Sequence, residues 1–262
     1  MTPTPETSPP IIPGAEPWSA DGTNGHGVLV LHGFTGNPHS MRGLATAFHA
    51  AGYTVDLPLL PGHGTNADDL ATTSWDDWSA RAEAAYDALA ARADQVVVAG
   101  LSMGGALTCW LATRHPEITG IVCVNPATQV SPDMRGFIEQ LVQAGEEMMP
   151  GIASDIADPE SVELGGYETI PIKPLLSMFE AEEAFGPDLA KIACPVLLLT
   201  STQDHVVPPT DSDHLADEVS GPVERVTLER SYHVATLDYD RDLIEARAVA
   251  FADRVTGAPA AG

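Results

Sequence analysis

Residues 96–105 read VVVAGLSMGG, and the order of residue types there dictates a backbone path. Val96, Val97 and Val98 are β-branched and, with Ala99, form an apolar run without polar alternation, the pattern of a strand buried on both faces. Gly100 and Gly104 flank Ser102 in a G-x-S-x-G spacing, and Gly104 opens a helical pattern that runs to His115. A strand turning this abruptly into a helix holds its central residue in a strained conformation, and glycine on either side avoids the resulting clashes. The turn lifts Ser102 Oγ above a sheet edge, at the N-terminus of the following helix.

The same alternation extends in both directions. Upstream lie a strand at Val28–Leu31, a helix from about Pro38 to Gly52 with Met41, Leu44 and Phe48 at helical spacing, a strand at Tyr53–Leu57 and a helix at Asp76–Arg92. Downstream come strand Ile121–Val124, strand Val196–Leu199, helix Asp211–Val219, strand Val223–Leu228 and a final helix at Asp240–Val255. Continuous apolar strands separated by helices predict an α/β fold: a mostly parallel sheet with helices on both faces. The rhythm stops at Asn125-Pro126. From Ala127 to about Asp188 only two amphipathic helices are legible, at Met134–Met149 and Leu175–Ala184, among Gly and Pro breakers. An irregular stretch this long inside one sheet reads as an inserted lid. The expected organisation is a disordered leader over 1–13, a core formed by 14–126 and 189–256, a lid over 127–188, and a flexible tail over 257–262.

Composition narrows the function. Acidic residues outnumber basic ones 37 to 12, a net charge of -25. A nucleic-acid binder or a protein held on anionic lipid needs the opposite balance. Cys109, Cys123 and Cys194 are an odd number of cysteines without close spacing in the sequence, which argues against a disulfide framework or a zinc site and suits a reducing cytoplasm. The Pro- and Thr-rich N-terminus has neither a basic nor an apolar signal-peptide region. No apolar run approaches the ~18 residues of an integral membrane helix.

A serine hydroxyl is a poor nucleophile and needs a base, itself oriented by an acid. In a sheet wound this way the chain order is Ser, acid, His. Of the histidines, only His205, His214 and His233 lie far enough beyond Ser102. His214 falls inside a helical pattern and His205 directly follows a better acid, Asp204. His233 sits in the loop between the last strand and the last helix, so Ser102, Asp204 and His233 are the candidate catalytic residues. The backbone N–H groups of Met103 and of Phe34, in the glycine-flanked loop 32–36, are the candidate oxyanion donors. His63 in Pro61-Gly62-His63-Gly64 reads as a structural turn residue, Trp75 and Trp78 as packing, and Glu146-Glu147 and Glu182-Glu183 as solvated faces. No carboxylate–His group shows metal-ligand spacing and no loop matches a phosphate cradle, so neither cofactor nor metal is expected.

The segments HGFTGNPHSMR (32–42), AGYTVDLPLLPGHGT (51–65), GLSMGG (100–105), DHVVPP (204–209) and SYHVATLDYD (231–240) resemble those of bacterial monoacylglycerol lipases and their close carboxylesterase relatives. The resemblance runs from about Gly14 to Phe251. It implies an α/β-hydrolase core with a small lid, acting on a small lipid ester, and the same five residues in the roles above. In the lid the pattern returns with a shift of about one residue. There it implies Ile152 as an apolar residue over the acyl chain and Glu163 near the glycerol head group. The stretch Ser131–Met149 departs from the pattern. Two other readings remain: a short- or medium-chain carboxylesterase or thioesterase, and a non-catalytic small-ligand receptor on the same fold.

Overall fold

The computed structural model describes residues 9–151 and 154–258. In chain order the elements are β1 (Trp18–Ala20), β2 (Gly27–Leu31), α1 (Pro38–Ala50), β3 (Thr54–Leu57), α2 (Ala67–Leu70), α3 (Trp75–Ala90), β4 (Val96–Leu101), α4 (Met103–Arg114) and β5 (Gly120–Val124). They continue with α5 (Pro132–Gln143), β6 (Met148–Pro150), β7 (Thr169–Pro171), α6 (Ile172–Phe185), β8 (Val196–Ser201), α7 (Pro209–Glu218), β9 (Val223–Leu228) and α8 (Arg241–Thr256). Seven strands form one sheet in the order β1-β3-β2-β4-β5-β8-β9. Only β1, the edge strand, pairs antiparallel.

The apolar strands split by alternation into two cores. Val28, Val30, Val97, Ala99, Val122 and Val124 face α1 and α8, against Met41, Leu44, Phe48, Ile244 and Phe251. Leu29, Leu31, Val96, Val98, Ile121 and Cys123 face the opposite layer, which includes α3 and α4. With both faces covered, β2, β4 and β5 are buried along their whole length, which is why they contain no polar alternation. Helix ends follow local chemistry: the Asn37 side chain caps α1 by accepting from His39 N–H, and Ser74 with Asp77 forms a capping box on α3.

The stretch between β5 and β8 contains α5, the antiparallel ribbon β6–β7, and α6. The expected helix at Met134–Met149 stops at Gln143, because Gly145 adopts φ +82° and Met148 and Met149 pair with Pro171 and Ile170 instead. Short strands such as β1, β6 and β7, three residues each, are too short for periodicity to register. Of the expected leader, residues 9–13 are described, and there Ile12 N–H donates to Gly64 O at 2.8 Å. Glu182, expected on a solvated face with Glu183, is instead buried. The three cysteines are free, yet folding brings Cys109 Sγ and Cys123 Sγ to 3.9 Å across α4 and β5. Among the described residues no helix is long and apolar enough to cross a membrane.

Candidate active site

The carboxyl ends of β2, β4, β5, β8 and β9 converge on one edge of the sheet, and every described residue that the sequence proposes for the site except Glu163 leaves from one of them. Ser102 follows β4 directly, with φ 57° and ψ -120°. The glycines beside it are obligatory. A Cβ on Gly100 would stand 2.0 Å from Gly104 O, and one on Gly104 would stand 2.2 Å from Leu31 O. Ser102 N–H donates to Val124 O at 3.0 Å, which anchors the turn to β5. Among the described residues only Thr35, Ser102 and Asn125 are non-glycine with positive φ, and they follow β2, β4 and β5. Backbone strain is therefore concentrated on this edge, where packing on all sides maintains it.

Asp204 lies just beyond β8. Its Oδ1 accepts the N–H groups of Val206 and Val207, both at 2.8 Å, and its Oδ2 lies 2.7 Å from His233 Nδ1. Both side chains are nearly sealed from solvent, 1% exposed for Asp204 and 8% for His233. A carboxylate so engaged orients the imidazole with Nδ1 protonated and leaves Nε2 facing outward as the free nitrogen. Among the described residues Ser102 Oγ makes no hydrogen bond to the ring, a contact that commonly tightens only when substrate binds.

Phe34 and Met103 flank the serine. Neither N–H donates to another residue in the loop and cap hydrogen bonds around it. The direction of the Phe34 N–H is set by a buried histidine. His32 Nε2 accepts the Leu60 N–H at 3.1 Å, so its proton is on Nδ1, which donates to Gly33 O at 3.0 Å. Gly36 N–H binds the same oxygen at 3.2 Å. In a trans peptide the carbonyl and the next N–H point opposite ways, so anchoring Gly33 O turns the Phe34 N–H away from His32. Burial, with a smaller effect of His63, pushes the His32 imidazole down to about 3 and keeps it neutral. Gly33 also packs closely on the serine: a Cβ there would be 3.3 Å from Ser102 Cβ, a tight contact.

Glu163 comes from the insertion. Its Oε1 lies 3.6 Å from where a Cβ on Gly36 would stand, its Oε2 accepts from Ser154 Oγ, and the neighbouring Leu164 O accepts from Asn37 Nδ2 at 2.6 Å. Glu163 is thus beside the loop that contains Phe34. Ile152 lies outside the described residues. His63 and Trp78 are buried and pack against each other and Phe34, as structural residues do. Folding does assemble one carboxylate–histidine group, Glu83, Asp87 and His115, at the far end of α4. Both His115 ring nitrogens there are already engaged by carboxylates, at 2.7 Å from Glu83 and 3.0 Å from Glu117.

Three site residues escape sequence reasoning. Asn125 joins β5 to β8 and to the histidine loop: Oδ1 accepts Ser201 N–H at 2.7 Å, and Nδ2 donates to Ser201 Oγ and His233 O. Asp238, fully buried, accepts the N–H groups of Ala157, Asp158, Tyr232 and Tyr239. Asp155 contacts both loops that contain the acid and the histidine. The break in rhythm at Asn125-Pro126 hints at the first; no local signal marks the other two.

A doubly covered, mostly parallel sheet that places a strained serine on its central turn, with the histidine and acid on later strand ends, is the architecture of the α/β-hydrolases. Within that class the chain belongs to the Hydrolase_4 family, described as serine aminopeptidase S33, which matches residues 24–240. It is 44% identical over 246 residues to the thermostable monoacylglycerol lipase of Bacillus sp. strain H-257, covering 92% of this chain and 96% of that one. A solved structure from work on LipS and LipT, two metagenome-derived lipolytic enzymes, superposes with a TM-score of 0.87 at 41% identity, over 94% of this chain and 100% of the other. The monoacylglycerol lipase of Paleococcus ferrophilus shares the fold, with a TM-score of 0.72 at 20% identity over 92% and 99% of the two chains.

Proposed function

We propose that the protein is a serine hydrolase that cleaves monoacylglycerols to glycerol and fatty acid. The observation that carries the chemistry is the sealed His233–Asp204 pair, 2.7 Å apart, on the same sheet edge as the strained Ser102 turn. In this reading Ser102 Oγ attacks the ester carbonyl while His233 Nε2 takes its proton and Asp204 stabilises the imidazolium. The Phe34 and Met103 N–H groups receive the developing oxyanion. His233 then protonates the departing glycerol oxygen. Water, deprotonated by the same nitrogen, releases the fatty acid from Ser102.

The substrate class is supported by the 44% identity to a monoacylglycerol lipase across nearly the whole of both chains. Glu163 beside the oxyanion loop supports a hydrogen-bonding partner for glycerol hydroxyls, and Ile152 is assigned to the acyl chain. A cytoplasmic setting is supported by the three free thiols.

The test is fatty-acid release from a chain-length series of monoacylglycerols, with di- and triacylglycerols, an aryl ester and an aminoacyl arylamide alongside. Strong monoacylglycerol turnover that vanishes in Ser102→Ala supports the reading. Cleavage of the aryl ester with every glyceride untouched reduces it to a carboxylesterase. Preference for the arylamide makes the protein a peptidase, as the family's description has it.

A further inference from the structure

Midway through the insertion between β5 and β8, residues 154–158 pass across the active-site edge. Asp155 there is 13% exposed at its side chain and faces two separate loops. Its Oδ2 accepts the His205 N–H at 3.1 Å and the His233 N–H at 3.0 Å. Its Oδ1 accepts from His205 Nδ1 at 2.8 Å, and its backbone oxygen accepts the Val234 N–H at 3.0 Å. His205 is the residue after Asp204. One carboxylate thus holds the backbone of the histidine and the backbone immediately following its acid partner.

This matters because the acid and the histidine reach the site from different strands. Among the described residues, the hydrogen bonds crossing between 204–207 and 231–234 are the His233–Asp204 bond itself and those that pass through Asp155. The strap is secured at its other end by Asp238, which accepts Ala157 and Asp158 N–H from the insertion and Tyr232 and Tyr239 N–H from the histidine loop. Next to Asp155, Ser154 Oγ donates to Glu163. The contact is not simply a surface ion pair. The His205 side chain is 61% exposed, where such a pair contributes little, whereas the N–H of the buried residue His233 has its acceptor in Asp155.

Resting on the proposed roles of Asp204 and His233, we infer that Asp155 is a positioning residue for the reaction. It keeps the acid and base loops in the relative placement that pairs carboxylate with imidazole. Because Asp155 belongs to the insertion, the catalytic geometry is conditional on the insertion being seated over the site.

A double-mutant cycle on an aryl ester tests this, with fluorophosphonate labelling of Ser102 as a second rate and Tm as the folding control. Asp155→Ala is expected to lower kcat and the labelling rate by about 10–100-fold with KM changed by less than about threefold, since the oxyanion donors and substrate contacts stay in place. In the Asp204→Asn background the same change is expected to cost less than about threefold, because the pairing it protects is already lost. His205→Ala, which keeps the backbone bonds, should cost no more than about threefold. An Asp155→Ala enzyme within threefold of the wild type overturns the inference. So does an equal loss in both backgrounds, which marks a general scaffold role. Should Asp155→Ala not fold, Asp155→Asn, of the same shape with one acceptor oxygen, takes its place in the cycle. Failure of the underlying reading looks different: Asp204→Asn alone, or Ser102→Ala, would then retain full activity.

Discussion

Asn125 Nδ2 donates to the carbonyl oxygen of His233 at 2.8 Å, so the residue that follows β5 helps set the position of the His233 backbone. The same amide holds Ser201 through both its oxygen and its nitrogen. Asn125 sits at φ 43°, a conformation asparagine tolerates better than most residues. Asn125→Ala leaves two buried polar groups, the Ser201 N–H and the His233 carbonyl, without that partner and is expected to cost about 2 kcal/mol of stability. It should also lower kcat by about tenfold or more as His233 loosens. Asn125→Asp, which aims an acceptor at the His233 carbonyl, should be at least as damaging. Thermal unfolding and ester kinetics on both variants check this, and wild-type kcat in Asn125→Asp would refute it.

His32 acts on the proposed oxyanion donor, the Phe34 N–H, through one peptide plane. His32→Ala is expected to reduce kcat by about 10–100-fold with a smaller change in KM, since the Phe34 N–H loses its direction and ground-state binding does not depend on it. His32→Asn, which can reach only one of the two backbone partners, should fall in between. Proportional changes in kcat and KM would tie His32 to substrate binding instead.

Acid should weaken the fold through two buried histidines. Burial holds His32 down to about 3 and His63 down to about 4, against 6.5 when exposed. Between those values and 6.5 the unfolded chain binds more protons than the native one, so stability rises with pH across the window and is lost as pH falls through it. Each histidine contributes a slope of about 1.4 kcal/mol per pH unit there. His63→Gln should make the loss of stability between pH 6 and 4.5 shallower by about that amount, as read by denaturant unfolding. An unchanged slope would mean that His63 is protonated in the native protein.

Glu182 behaves in the opposite sense. Burial, with the Asp211 carboxylate as a smaller cause, pushes its carboxyl well above the usual range, and its Oε1 has no partner among the described residues. Its contribution is present below the ordinary carboxylate pKa and is lost as pH rises through its native value. Glu182→Gln should therefore raise stability at pH 8 and change little at pH 4. A loss at pH 8 would reveal an anionic Glu182 paired in solution.

The contact proposed between Glu163 and the glycerol head group is separable from the chemistry. Glu163→Ala should lower kcat/KM for monoacylglycerols by about tenfold while leaving a simple aryl ester within about twofold, the amount expected for one hydrogen-bonded hydroxyl pair. Equal losses on both substrates would return Glu163 to a structural role with Ser154.

Much of this protein is legible in its amino-acid sequence. The apolar runs at 28–31, 96–99, 121–124 and 196–199 read as doubly buried strands, and Gly100 and Gly104 around Ser102 read as a tight strand-to-helix turn, which the structure shows has no room for a Cβ at either glycine. Asp204 and His233 follow from strand ends and chain order. These features are local: periodicity, steric exclusion and turn chemistry are encoded within a few residues of where they act.

What tertiary structure alone decides depends on chain segments far apart in sequence. Glu182 and Glu183 are adjacent and look alike, yet one is buried because α6 turns that face onto the core. Cys109 and Cys123 become neighbours only when α4 is laid against β5. Asp155 is one acid among many, between Ser154 and Ile156, until the insertion folds back across two loops 50 and 78 residues away. A hydrogen bond confers no periodicity on the sequence around it, so its partner is known only once packing has brought the two segments together.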